Sequence, residues 1–216
     1  MKVTNFNCRM AICGFIVACV LANPLQAQKR AAEKSGKESH SHIHSPPDAG
    51  KTNPLTLPKL SIPDVDVLDQ DGRKRKFYTD FVKGKVVVIN FVFTTCKGMC
   101  PLLGANFSRL QNVLGERLGR DVFLISISTD PETDSPEKLK AWGEKFKPDE
   151  GWTFVTGQKE DLTPLLQVFT GDGPRKDYHA PSLYIINDSK KAHRWAYGFE
   201  APERVVEVID ELARGN

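Results

Sequence analysis

An almost continuous apolar run, Val86–Phe93, dominates the hydrophobic pattern of the chain. Its many β-branched and aromatic residues predict a strand that is covered on both faces of a sheet. A second run, Val122–Ile127, predicts another buried strand. Shorter patterns at Thr153–Thr156 and Ser182–Asn187 predict two more strands, and Arg194–Tyr197 is predicted to be the hairpin partner of the last one.

Helical patterns alternate with these strands. Ser135 and Pro136 form an N-cap and N1 pair, Pro202 suits the N1 position of the last helix, and Pro164 is tolerable only near the first turn of its helix. Strands that alternate with helices predict an α/β fold with a central mixed sheet flanked by helices. The apolar positions of the four predicted helices are Leu103, Phe107, Leu110 and Leu114; Leu139, Trp142 and Phe146; Leu162, Leu165, Leu166 and Phe169; and Val205, Ile209 and Leu212.

Residues 1–27 predict an export signal. Lys2 and Arg9 make its start positive, and the apolar run Met10–Ala22 is short for a membrane span. A retained membrane anchor and lipidation at Cys19 are the two alternatives. All three place the rest of the chain outside the cytoplasm, and we expect the bacterial periplasm or the periplasmic face of the inner membrane.

Residues 28–58 are rich in Lys, Ser, His, Pro and Gly and show no apolar period, so they predict a flexible linker. Residues 59–216 have a globular composition and the length of one domain. The formal net charge is about +1 without residues 1–27, and about −1 for residues 59–216 alone. The sequence therefore predicts no basic surface for nucleic acid.

Cys96 and Cys100 lie where the first long strand gives way to a helix. Helix N-termini expose unpaired N–H groups, which stabilise thiolate and lower the pKa of a thiol. Two cysteines in this position are typical of thioredoxin-like folds. Because Cys8, Cys13 and Cys19 fall within the export signal, Cys96 and Cys100 are the only cysteines expected in the mature chain.

The spacing of these two cysteines allows two chemistries. Four positions apart, their sulfurs can lie on one face of a helical turn. They can close a disulfide if the turn adjusts, with Cys96 as the redox nucleophile and Cys100 as the resolving thiol. They can also hold a soft metal ion, Cu(I) or Zn(II), together with a third ligand. A purely structural disulfide is a further alternative, although so small a loop adds little stability through chain entropy.

His179 is the candidate for the third ligand. It precedes the strand Ser182–Asn187, and in a thioredoxin-like sheet the loop before that strand lies beside the helix that bears the cysteines. His193 is interpreted as a surface residue. The linker histidines either bind copper or zinc loosely or are merely polar; they are His40, His42 and His44.

Three other residues near these motifs have ordinary structural interpretations. Met99 is interpreted as half-buried rather than as an auxiliary soft ligand. Asp134 is interpreted as part of the helix entry beside Ser135, and Asp130 as a turn residue. None of the three is therefore predicted to belong to the site.

Three segments resemble the Sco/SenC family. Phe91–Cys96 with Cys100-Pro101 resembles its metal-site motif, and Ser126–Pro136 resembles its Ser-x-Asp-Pro-x-x-Asp-Thr/Ser-Pro segment. His179 stands five residues before Tyr184, as the family histidine stands before its strand aromatic. The resemblance covers roughly residues 59–214 and implies a thioredoxin-like fold. It also implies a copper ion bound by Cys96, Cys100 and His179, and a role in assembling the copper centre of cytochrome c oxidase.

Two functional hypotheses follow. The first is an exported copper chaperone, whose partner is a copper-accepting respiratory oxidase subunit. The second is an enzyme, a thiol-disulfide oxidoreductase that acts on a thiol partner protein through Cys96 and Cys100. Pro181 bears on this choice, because the segment it begins resembles the cis-proline segment of thiol oxidoreductases; the alternative is a trans proline at the start of an edge strand.

Overall fold

The computed structural model describes residues 60–171, 173 and 181–215, which belong to the unit Ile43–Asn216. The strands are β1 (Asp66–Asp69), β2 (Lys74–Lys76), β3 (Val86–Val92), β4 (Val122–Ser128), β5 (Trp152–Thr156), β6 (Ser182–Asn187) and β7 (Ala192–Tyr197). The helices are α1 (Met99–Leu114), α2 (Pro136–Gly143), α3 (Lys159–Thr170) and α4 (Pro202–Arg214). A π-helical turn, Phe77–Val82, precedes β3.

The seven strands form one mixed sheet in the order β2-β1-β5-β4-β3-β6-β7. The central strands β3, β4 and β5 are parallel, and β6 runs antiparallel to β3. The carboxyl ends of the parallel strands and the amino end of β6 therefore meet at the same edge of the sheet. The predicted mixed sheet flanked by helices is confirmed.

Side chains of β3 alternate between two apolar cores, one on each face of the sheet. Val88 and Val92 belong to the core that contains Phe107 of α1. Val87 and Ile89 belong to the other core, with α3 and the π-helical turn. The double coverage explains why nearly every residue of this strand is apolar.

The structure departs from the sequence-based prediction in four elements. The π-helical turn was not predicted. The short strands β1 and β2 were not predicted either, because apart from Val67 and Leu68 they consist of charged residues. The expectation that Pro164 lies near a first turn is wrong: α3 begins at Lys159, so Pro164 is the sixth residue and lies inside the helix.

None of the helices in residues 60–171 and 181–215 is long and apolar enough to cross a membrane. The predicted export signal and linker lie outside the described residues, as does most of the loop that contains His179.

Candidate thiol and metal site

The site is built on the connection between β3 and α1. After β3 ends at Val92, a turn is closed by a hydrogen bond from the Cys96 amide to the Phe93 carbonyl (3.2 Å). Helix α1 then begins at Met99, so Cys100 is its second residue. The structure confirms that both cysteines lie at the junction of a buried strand and a helix N-terminus.

The two thiols differ in exposure and acidity. Cys96 is half-buried, whereas Cys100 is buried at 4% exposure. Burial raises the pKa of Cys96, but hydrogen bonds from the Cys100 side chain and from the amides of Cys100, Gly98 and Met99 outweigh it, so the pKa is lowered overall. Burial, the hydrogen bond with Cys96 and the charges of Cys96 and Asp134 together raise the pKa of Cys100 to about 12.

Both cysteines are free thiols. The Cys96 Sγ atom accepts a hydrogen bond from the Cys100 backbone nitrogen at 3.4 Å. One sulfur is therefore the accessible, more acidic nucleophile, and the other is a buried, protonated partner one helical turn away. This arrangement suits either a metal ion that enters from the Cys96 side or an attack by Cys96 on a disulfide.

Asp134 is the site-associated residue whose role the sequence did not reveal. It is buried at 1% exposure, and its carboxylate accepts hydrogen bonds from Thr94, two residues before Cys96, and from Ser128. The interpretation of Asp134 as helix-entry chemistry is wrong, because its carboxylate bonds to Thr94 and Ser128. Ser135 caps α2, as predicted, by accepting from the Lys138 amide. The Asp130 carbonyl accepts from the Asp134 amide, in keeping with a turn.

The predicted third ligand, His179, lies outside the described residues, and so do His40, His42 and His44. Residues 60–171 and 181–215 hold no group of three or more His, Cys, Asp or Glu side chains arranged for a metal ion. Met99 is half-buried, as expected. His193 is half-buried in β7, the outermost strand on its side of the sheet, and this partial burial lowers its pKa.

Pro181, two residues after His179, is described and lies beside α1. Its carbonyl accepts a hydrogen bond from the Gly198 amide at 2.6 Å. A Cβ atom on Gly198 would come within 2.5 Å of Leu103 Cδ2 and 3.0 Å of Pro181 Cβ, so both residues pack against this glycine. Leu103 follows Cys100 by three positions, on the same side of α1. The bond before Pro181 involves Ala180, outside the described residues, so the cis-proline interpretation stays a prediction.

A mixed sheet with helices on both faces, and two cysteines at the start of the helix after a central parallel strand, defines a thioredoxin-like domain. A model of the SCO1/SenC family matches residues 58–214, and the chain therefore belongs to that family.

Curated relatives agree with this assignment. The chain is similar to a SCO1 protein homolog of Bacillus subtilis, with 31% identity over 141 residues, which cover 61% of this chain and 71% of the relative. It is also similar to a putative copper-binding protein of Stutzerimonas stutzeri, with 30% identity over 116 residues, covering 53% and 55% of the two chains.

Solved structures show the same fold. A SCO1/SenC family lipoprotein from Bacillus anthracis matches with a TM-score of 0.61 and 31% identity, over 72% of this chain and 95% of that one. BsSco, described as having a disulfide switch and as a member of the Sco family of cytochrome c oxidase assembly proteins, matches with a TM-score of 0.59. Its identity is 24%, over 71% of this chain and 95% of that one, so this likeness concerns the fold alone.

Proposed function

We propose that this protein is an exported copper-binding chaperone that holds the metal with Cys96, Cys100 and His179. The observation that carries the proposal is the position of Pro181 against Gly198, which also packs on Leu103 of the cysteine-bearing helix. His179 precedes Pro181 by two positions, a length of chain that spans at most about 7 Å, and we infer that it supplies the third ligand. The antiparallel pairing of β3 and β6 supports this, since the end of one strand lies beside the start of the other.

The donor set favours copper in its lower oxidation state. Two thiolates and one imidazole are soft and borderline ligands, which suit Cu(I). Copper would displace the Cys100 proton on binding, because ligand sulfurs must be deprotonated. The naming of the Stutzerimonas stutzeri relative as a putative copper-binding protein supports the same metal.

The cargo would pass to a copper-accepting subunit of a respiratory oxidase. Support comes from the family to which the chain belongs, which the description of BsSco calls a family of cytochrome c oxidase assembly proteins. Export to the periplasm, with the N-terminus cleaved, lipidated or retained as an anchor, would place the thiols on the side of the membrane where an exported oxidase subunit is metallated. The half-exposed Cys96 sulfur can be shared with an incoming ligand during transfer.

A copper titration of the reduced chain tests the three-ligand site. In competition with a chromophoric Cu(I) chelator, the wild-type chain should bind one Cu(I). The His179→Ala variant should have a Cu(I) affinity about tenfold lower. His193→Ala is the matched control, because His193 lies near the far end of β6, where it pairs with Ile186; it should leave the affinity unchanged. An unaltered stoichiometry and affinity in His179→Ala would contradict the model.

Thiol-disulfide exchange is the second candidate function, and the unequal thiols favour it. Cys96 would attack one sulfur of a partner disulfide and release the other as a thiolate. Cys100 would then attack Cys96 in the mixed disulfide, which frees the reduced partner and leaves the Cys96–Cys100 disulfide. Equilibration of the pair with glutathione buffers tests this role: a reduction potential too low for any compartment reductant would indicate a structural bridge instead.

A further inference from the structure

We propose that Asp134 is a positioning residue, whose carboxylate holds the turn that carries Cys96 and Cys100 in its metal-binding geometry. The inference rests on the proposed copper site and extends it to a residue 34 positions beyond Cys100 in the sequence. Asp134 would not contact the metal; it acts through Thr94.

The contacts of the Asp134 carboxylate account for both of its oxygens. Oδ1 accepts hydrogen bonds from the Thr94 amide (3.1 Å) and the Thr94 hydroxyl (2.5 Å). Oδ2 accepts from the Ser128 hydroxyl (2.7 Å) and lies 3.3 Å from the Thr94 nitrogen. At 1% exposure, Asp134 is shielded from bulk solvent, which therefore cannot easily replace these donors. Carboxylate oxygens accept hydrogen bonds, so they match this group of donors.

These bonds join the ends of three neighbouring strands. Thr94 follows β3, and Ser128 is the last residue of β4. The Asp134 carbonyl accepts from the Thr156 hydroxyl at the end of β5 (2.9 Å), and its amide donates to the Asp130 carbonyl (2.9 Å). The main chain at Asp134 is thus fixed independently of its carboxylate, which can then serve as a rigid anchor for Thr94.

Anchoring Thr94 constrains the cysteine turn directly. Only Thr95 separates Thr94 from Cys96, and the turn is closed by the Cys96–Phe93 hydrogen bond immediately next to the anchor. Without the carboxylate, the Thr94 amide and hydroxyl lose their hydrogen-bond acceptor just after the end of β3. The distance between the two sulfurs would then vary, and the turn would have to become ordered when the metal ion binds, which weakens the binding.

Asp188 offers a control with similar contacts at the other end of the sheet. It is buried at 9% exposure and accepts hydrogen bonds from the Gly84 amide (2.7 Å), the Tyr78 hydroxyl (3.2 Å) and Lys191 (2.8 Å). It follows β6, whose last residue pairs with the first residue of β3, so it is remote from the cysteines. Asp188→Ala should therefore cost stability without altering the site.

The experiment compares Cu(I) affinities of the reduced full-length chain and its variants, by competition with a chromophoric chelator, beside their melting temperatures. Asp134→Ala should bind Cu(I) roughly tenfold more weakly, whereas Asp188→Ala should change the affinity less than about twofold at a comparable loss of melting temperature. Asp134→Asn keeps an oxygen for Thr94 and can donate to the Ser128 hydroxyl, so it should restore most of the affinity.

If Asp134→Ala does not fold, Thr94→Val takes its place, since it removes only the hydroxyl donor. It should weaken Cu(I) binding about threefold, and an unchanged affinity would overturn the proposal. An Asp134→Ala chain that folds and binds like the wild type would also overturn it. A wild-type chain that binds no Cu(I) would instead contradict the proposed copper site, so the two hypotheses can be rejected separately.

Discussion

The sulfur of Cys96 lies 3.4 Å from the backbone nitrogen of Cys100, from which it accepts a hydrogen bond at the mouth of α1. The amides of Gly98 and Met99 contribute to the same stabilisation of a Cys96 thiolate. The Cys100 thiol is less exposed and less acidic than that of Cys96, since it is buried and has a pKa of about 12. The chemistry of the pair therefore begins at Cys96.

This asymmetry predicts selective alkylation. At pH 8, iodoacetamide should modify Cys96 much faster than Cys100, because the thiolate reacts and only Cys96 is both acidic and accessible. Mass spectrometry of peptides from the reduced chain, sampled over time, measures both rates. Cys100→Ser should retain the fast reaction and Cys96→Ser should lose it. Equal rates at the two cysteines would contradict the assignment of Cys96 as the leading thiol.

The parts of the fold that were predictable from sequence are those where burial leaves a local pattern of apolar residues. Val86–Val92 is apolar except at Asn90 because both its faces are covered, and the helical positions Phe107 and Leu110 of α1 are buried as their spacing indicates. The cysteines were found for the same reason: their chemistry depends on position at a strand–helix junction, and that junction is local in sequence.

Features that depend on distant pairing were not predictable. Lys74–Lys76 is a strand only because it pairs with β1, and no property of these exposed residues indicates it. The role of Asp134 also depends on a residue that is distant in sequence. Its partner Thr94 is 40 residues away, so the local sequence beside Ser135 gave only the interpretation as helix-entry chemistry. Hydrogen bonds between strand ends become visible only when the order of the sheet is known.

Gly104 is predicted to be required by close packing in α1. A Cβ atom there would lie 2.5 Å from Cζ of Phe146, nearer than real Cβ contacts come. Alanine normally favours a helix over glycine by about 1 kcal/mol, but Gly104→Ala should lower the free energy of unfolding by about 1–3 kcal/mol through overpacking. Urea denaturation measures this.

A double-mutant cycle isolates the cause. Phe146→Leu removes the ring that the new methyl group would meet, so Gly104→Ala should be much less costly in that background. Equal costs in both backgrounds would show that the loss does not come from contact with Phe146.

Asn90 is predicted to lower the stability of the sheet. It is fully buried within β3, and neither atom of its side-chain amide has a hydrogen-bond partner in the described part of the chain. Burying an unpaired polar group costs about 1–3 kcal/mol, so Asn90→Val should raise the free energy of unfolding by about 1 kcal/mol. Asn90→Ala, which leaves a cavity, is the comparison variant. A large loss of stability in Asn90→Val would indicate that the amide makes an essential interaction.

The contribution of Asp188 to stability should depend on pH. Burial tends to raise the pKa of its carboxyl, but the Gly84 amide, Lys191 and the Tyr78 hydroxyl outweigh burial, and the pKa is lowered in the folded state. A carboxyl with a lowered folded-state pKa stabilises the fold above its unfolded value, near 3.9, and this contribution disappears as pH falls through the folded value. Asp188→Asn should therefore destabilise the chain by about 1–2 kcal/mol at pH 7 and much less near pH 2–3.

Chemical denaturation of the two chains across this pH range measures the difference. Asp121→Asn is the control, since Asp121 is exposed and, within the described residues, its side chain pairs with Arg120 at 3.3 Å on the surface. It should change stability little at any pH, because surface ion pairs contribute little. A cost of Asp188→Asn that stayed constant from pH 7 to pH 3 would mean that Asp188 stabilises the fold by shape and hydrogen bonding alone. A cost that disappears with acid would identify the charge itself as the stabilising element where the β6–β7 hairpin meets the start of β3.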